Sequence, residues 1–208
     1  MDQLELLKKD WKKQEADLPT LSYDELSKLI HKKSSSIVKW IFILSLLEFV
    51  IPHVIYLFMD NDKVNAEVDN LGLHNFNLIA SILFYSVVLV FIYLFYKNYR
   101  TISANSNPKV LMQNIIKTRK TVKYYIWFML TMIPIISIII FYRAFNSPDF
   151  LEQIPEGTNI VSIWVLAIIL ILILVGIFWL FYRLIYGILL NRLKENYNEL
   201  VSNGNGNL

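Results

Sequence analysis

The chain has 208 residues, of which 55% are hydrophobic, with no cysteine and a formal net charge of +3. A chain this short and this apolar cannot bury its surface in one aqueous core, so lipid is its expected solvent. The missing cysteine excludes disulfides, thiolate metal sites and a cysteine nucleophile.

The first 18 residues place Leu4, Leu7 and Trp11 at i, i+3 and i+7, with Leu18 at i+14, which predicts a short amphipathic helix. Its charged start, MDQLELLKKDWKK, lacks the apolar core of a signal peptide, so the first span is expected to act as an uncleaved insertion signal. Pro19 and Thr20 break this helix. Ser22-Tyr23-Asp24-Glu25 then reads as a capping box, in which the Ser22 hydroxyl and the Glu25 carboxylate satisfy free N–H groups at a helix start. Leu26, Leu29, Ile30 and Ile37 carry that helix without a breaker into the first apolar run.

Four such runs follow, at 40–59, 76–96, 124–142 and 160–182, each close to the roughly 20 helical residues that cross a bilayer's hydrocarbon. Between the second and third, Asn107 suits an N-cap and Pro108 the first helical position, with Leu111, Ile115 and Val122 on one side of the helix that follows. The fourth run continues through Arg183, Tyr186 and Leu190 toward Tyr197. Residues 201–208 lack apolar spacing and are expected to fray. The outer connections are too short for a folded external domain. Asp60-Asn61-Asp62 opens like a calcium loop but lacks the glycine and the final acid that such a loop needs, so it reads as a solvated acidic segment.

Charge sets the orientation. Of the 20 Lys and Arg residues, eight precede the first run, seven lie between the second and third, and three follow the fourth; the other two connections hold only Lys63 and Arg143 against seven acids. By the positive-inside rule both termini are expected in the cytoplasm. Trp40, Tyr56, Tyr96, Tyr99, Tyr124, Tyr125, Tyr142 and Tyr182 occupy positions suited to the headgroup layer. The expected fold is therefore all-α: a polytopic membrane protein whose four transmembrane helices form a bundle with cytoplasmic extensions. It divides into a cytoplasmic helical segment at 1–36, a membrane domain at 37–190 and a cytoplasmic tail at 191–208.

Glu48 is the one acid within the four apolar runs. It lies about 12 Å beyond Trp40 at 1.5 Å per residue, and an intramembrane acid is by default a functional candidate. Pro52 removes the N–H that would bond the Glu48 carbonyl. Ser45, Glu48, Pro52 and Tyr56 share one helix face, and counting depth from the ends of the runs brings Tyr85, Ser86 and Thr131 near Glu48. The expectation is a neutral carboxyl bonded to Tyr85 or Thr131. Its role is read as helix packing, with a proton- or cation-linked role and a lipid or small-ligand contact as alternatives. His31, His53 and His74 fall at three different levels and do not form a metal site.

The segments LELLKKDWKKQE, LSYDELSKLIHKKSSSIVKWIFILSLLEF and LMQNIIKTRKTVKYYIW resemble a family of small four-span inner-membrane proteins of flavobacteria and other Bacteroidetes. The resemblance implies genes placed beside extracytoplasmic-function sigma factors, and hence an anti-sigma-like role. No enzymatic activity and no cofactor or metal are expected. The predicted function is regulatory or scaffolding, at the bacterial inner membrane, with Leu4, Leu7 and Trp11 offered to a cytoplasmic protein partner. The alternative is a small transporter, a homo-oligomer surrounding a path lined by Glu48. Besides that protein, the bilayer is the expected partner, not nucleic acid.

Overall fold

The computed structural model describes residues 22–59, 61–104, 107–155 and 157–205. Leu4, Leu7 and Trp11 lie outside the described residues. Four long helices dominate what is described: α1 (Tyr23–Leu57), α3 (His74–Ala104), α4 (Pro108–Phe145) and α6 (Ile160–Asn205), with the short α2 (Asn61–Asn70) and α5 (Pro148–Gln153) at one end. All four long helices are apolar and long enough to cross a membrane. At 1.5 Å per residue they run from about 45 to 70 Å, well beyond the roughly 30 Å of bilayer hydrocarbon. The excess lies at the end that carries most of the lysines and arginines.

Local chemistry starts and stops these helices. Ser22 accepts from the Glu25 N–H at 3.3 Å while Glu25 accepts from the Ser22 N–H at 3.0 Å, closing the capping box. Asn107 caps α4 by accepting from the Lys109 N–H at 3.0 Å, with Pro108 in the first turn. At the acidic end Gly72 turns the chain from α2 into α3 with φ +63°. A Cβ there would sit 2.7 Å from Arg143 Nη2, which donates to the Gly72 carbonyl at 2.8 Å and so ties the α2–α3 turn to the end of α4. His74 and Asp69 pair beside the same turn at 2.8 Å. A helix over Asn61–Asn70 replaces the expected loop and rules out the calcium-loop geometry, whose ligands converge from a folded-back coil.

The long helices form an up-down-up-down ring in the order α1, α3, α4, α6, with α6 closing on α1. On α1 the buried positions are Ser27, Ile30, Ser34, Val38, Ile41 and Ser45, spaced by threes and fours. On α4 they are Leu111, Ile115, Thr118, Val122 and Tyr125. Phe95, Asn98 and Ile102 of α3 and Tyr186, Leu193, Asn196 and Leu200 of α6 complete the core. Serines on α1 let neighbouring backbones approach closely, and Ser34 accepts from Asn196 Nδ2 at 2.9 Å in the buried interior.

Nearly all of this core lies at the basic end, from Glu48 inward. Farther out, the apolar residues of the four helices largely face outward, as expected where lipid supplies the apolar environment and no hydrophobic force closes the bundle.

Two expectations change. Residues 201–205 continue α6 as helix because Leu200 is buried and anchors the last turns, where Asn203 Nδ2 donates to the Glu199 carbonyl at 2.8 Å. Helix α1 crosses residue 36, and α6 residue 190, without a break, as the unbroken apolar spacing predicts. Tyr125 and Tyr182 do not turn their rings toward lipid: both are buried within the bundle, whereas Tyr124 is 67% exposed.

Candidate functional site

Glu48 projects from α1 into the bundle, where the Tyr125 hydroxyl of α4 donates to its Oε2 at 2.5 Å. Tyr125 is held there by aromatic packing on several sides: Phe91 and Phe95 of α3 lie 5.4 Å away, Tyr186 6.1 Å and Tyr182 6.3 Å, all with rings tilted or edge-on. The second carboxyl oxygen, Oε1, is buried and has no hydrogen-bond partner among the described residues. Tyr186 faces the same carboxyl, yet its hydroxyl also lacks a partner in acceptable geometry among those residues.

The expected network of Glu48 with Ser45, Tyr85, Ser86 and Thr131 is not formed. Ser45 donates to the Phe42 carbonyl and Ser86 to the Ile82 carbonyl, each at 2.7 Å, and Thr131 donates to the Trp127 carbonyl, so all three return to their own helices. Tyr85 stands at the outer side of Glu48, against His53 at 5.0 Å and Phe49 at 6.1 Å. The reason is register. Depth counted from the ends of apolar runs assumes that every run enters the membrane at one plane, whereas the packed core slides α1 and α4 so that Glu48 meets a residue from the start of the third run. Tyr125 was legible by a different signal: it continues the spacing of Leu111, Ile115, Thr118 and Val122 by three residues.

Outward from this pair the four helices surround a cavity of about 480 Å³. Leu44, Glu48 and His53 of α1, Tyr85 of α3, Met129 of α4 and Phe178 of α6 are among its walls. The three histidines have separate partners. His31 Nε2 donates to the Ile102 carbonyl at 2.6 Å at the basic end, His53 Nδ1 to the Phe49 carbonyl at 2.6 Å in the cavity wall, and His74 pairs with Asp69 at the acidic end.

Residues 24–203, which take in all four long helices, match a family described as a domain of unknown function, DUF8845. The chain belongs to this family. No curated protein and no solved structure matches it. The family match begins in the first turn of α1 and ends in the last turn of α6, so in DUF8845 the extensions at the basic end belong to the same unit as the spans.

Proposed function

We propose that the protein is a bacterial inner-membrane regulator or scaffold, oriented with both termini in the cytoplasm, that acts on a protein partner through its basic end. The observation that carries this reading is the position of the packed core. Membrane spans need no aqueous core, yet here Ile30, Ile102, Ile115 and Leu193 build one beyond the apolar runs, on helices continuous with them. Such a projecting bundle is a rigid platform of the kind that helical partners dock on. Leu29 on α1 and Ile116 on α4 remain exposed on it, and the sequence spacing of Leu4, Leu7 and Trp11 predicts a further apolar stripe. An anti-sigma-like role is the specific form suggested by the family resemblance.

The test is crosslinking and affinity recovery of the full chain from native membranes. Trp11→Ala and Leu29→Asp are expected to release a specific protein while leaving membrane abundance unchanged. Equal recovery from wild type and both variants overturns the reading.

The rival reading is proton- or ion-linked transport through Glu48, favoured by the position of that carboxyl on a cavity within the spans. Against it, Tyr125, Tyr186 and Phe95 fill the bundle axis inward of Glu48, which closes a path through one copy. Loss of activity in Glu48→Gln at normal abundance would favour this rival, because glutamine keeps hydrogen-bonding capacity but cannot exchange a proton.

A further inference from the structure

The apolar runs of the two halves of the bundle meet the basic end at different heights. On α1 and α3 they meet it at Trp40 and Tyr96, and the Phe42 and Tyr96 rings, 5.7 Å apart, hold these two edges level. On α4 and α6 they meet it at Tyr124 and Tyr182, and the contact of Tyr125 with Tyr182 at 6.3 Å holds those level. The Tyr125–Glu48 bond ties the second pair to a point on α1 eight residues beyond Trp40, about 12 Å at 1.5 Å per residue.

Hydrocarbon cannot begin at the Tyr125–Tyr182 layer for the whole bundle. From that layer α1 retains only Glu48 to Leu57 before it ends, about 15 Å against roughly 30 Å of hydrocarbon. Inclination does not level the edges either. A step of about 12 Å between neighbouring helices roughly 8–10 Å apart needs a tilt of about 50°, beyond the roughly 0–40° of spanning helices. The α4–α6 edge therefore lies below the headgroup plane that α1 and α3 set.

Arg183 sits at that edge. It follows Tyr182 directly, is exposed, and stacks its guanidinium 5.0 Å over Trp179, one helical turn farther from the basic end. The side chain thus leans into the bilayer instead of reaching back toward water, as cations near span ends ordinarily do. It has neither a hydrogen bond nor an ion pair among the described residues. The neighbouring α4 contains no acid, and an unpaired guanidinium at this depth is costly. Trp179, Arg183 and Gly187 follow one another at i, i+4 and i+8 on α6, with Gly187 on the headgroup side. A Cβ at Gly187 would meet only Arg183 Cγ, at 3.9 Å, so the surface leading to Arg183 is open. Lys123 of α4, two residues inward of Tyr125 and exposed, adds a second cation within a turn of Gly187 in height.

We propose that Arg183 binds the phosphate of one anionic phospholipid, drawn over Gly187 below the usual headgroup plane of the leaflet on the basic side. A guanidinium takes two phosphate oxygens at once, and stacking on Trp179 fixes its plane. The phosphate arrives with its own hydrocarbon chains, which suits a site flanked by exposed Leu180 and Leu184. A free phosphate would lose its hydration there without that compensation. Headgroups lacking an ammonium group are preferred because no second cation competes for the phosphate.

The test reconstitutes the full chain in membranes of equal phosphatidylglycerol and phosphatidylcholine, extracts it in mild detergent and counts bound lipid by native mass spectrometry. One phosphatidylglycerol per chain is expected to persist, retained about tenfold over phosphatidylcholine, the scale of one charge-assisted hydrogen bond. Arg183→Gln should remove the preference, and Arg183→Lys should keep only part of it, because an ammonium lacks the planar fork. Gly187→Leu should weaken it with every charge intact. Arg192→Gln, at an exposed arginine farther toward the basic end, should leave it unchanged. Melting temperatures of the variants separate loss of lipid from loss of fold. Equal retention of the two lipids by the wild-type protein overturns the proposal without any variant. An equal fall in Arg192→Gln and Arg183→Gln means diffuse basic charge and overturns the site, and displacement by inorganic phosphate overturns the lipid assignment.

Discussion

Tyr125 donates its hydroxyl proton to Glu48 Oε2 at 2.5 Å, joining α1 and α4 diagonally across the bundle, at the level where the packed interior gives way to the membrane cavity. This bond secures one oxygen of a buried acid and leaves the other, also buried, without a partner among the described residues.

Removing the donor should be measurable as coupling. In a double-mutant cycle of Tyr125→Phe and Glu48→Gln, read by thermal unfolding in detergent, the interaction energy is expected at about 0.6–1.7 kcal/mol, from the average to the maximum of membrane hydrogen bonds measured in such cycles. Strictly additive effects would show that the bond contributes nothing to stability.

Ser34 and Ser36 are two residues apart in sequence and opposite in environment, the first buried against Asn196 and the second exposed. Ser34→Leu is expected to destabilise by about 1–3 kcal/mol through overpacking and loss of the Asn196 bond. Ser36→Leu should stay within about 0.5 kcal/mol. Equal melting temperatures for the two variants would contradict the packing of α1 on α6.

Leu200 should matter despite its place near the chain's end. Because it is buried in the core, Leu200→Ala is expected to cost about 2–5 kcal/mol, seen as a lower melting temperature in detergent. A change no larger than that of exposed Asn203→Ala would mean that the last turns of α6 do not dock.

Orientation can be tested with reporter fusions, or with single introduced cysteines, since the chain has none of its own. Positions 2, 105 and 200 are expected to report cytoplasm, and positions 65 and 153 the opposite side, because of the division of lysine and arginine between connections. A non-cytoplasmic signal at position 105 would refute the arrangement.

The sequence by itself determined the four spans, the caps at Ser22 and Asn107, and the continuation of α1, α4 and α6 beyond the apolar runs. These depend on length, local hydrogen bonding and composition, all of which are visible along the chain. It also singled out Glu48, since an acid amid apolar residues is conspicuous at any register. Only the tertiary structure decided which residue meets that acid. Tyr124 and Tyr125 are neighbours of one type in sequence, yet one faces outward and the other lies sealed in the bundle, and a rotation of 100° about α4 separates these outcomes. The same holds for the serines of α1, which read as neutral filler in sequence. Ser27, Ser34 and Ser45 became interior residues because close helix approach selects small side chains, a choice that depends on the partner helix and not on the serine itself.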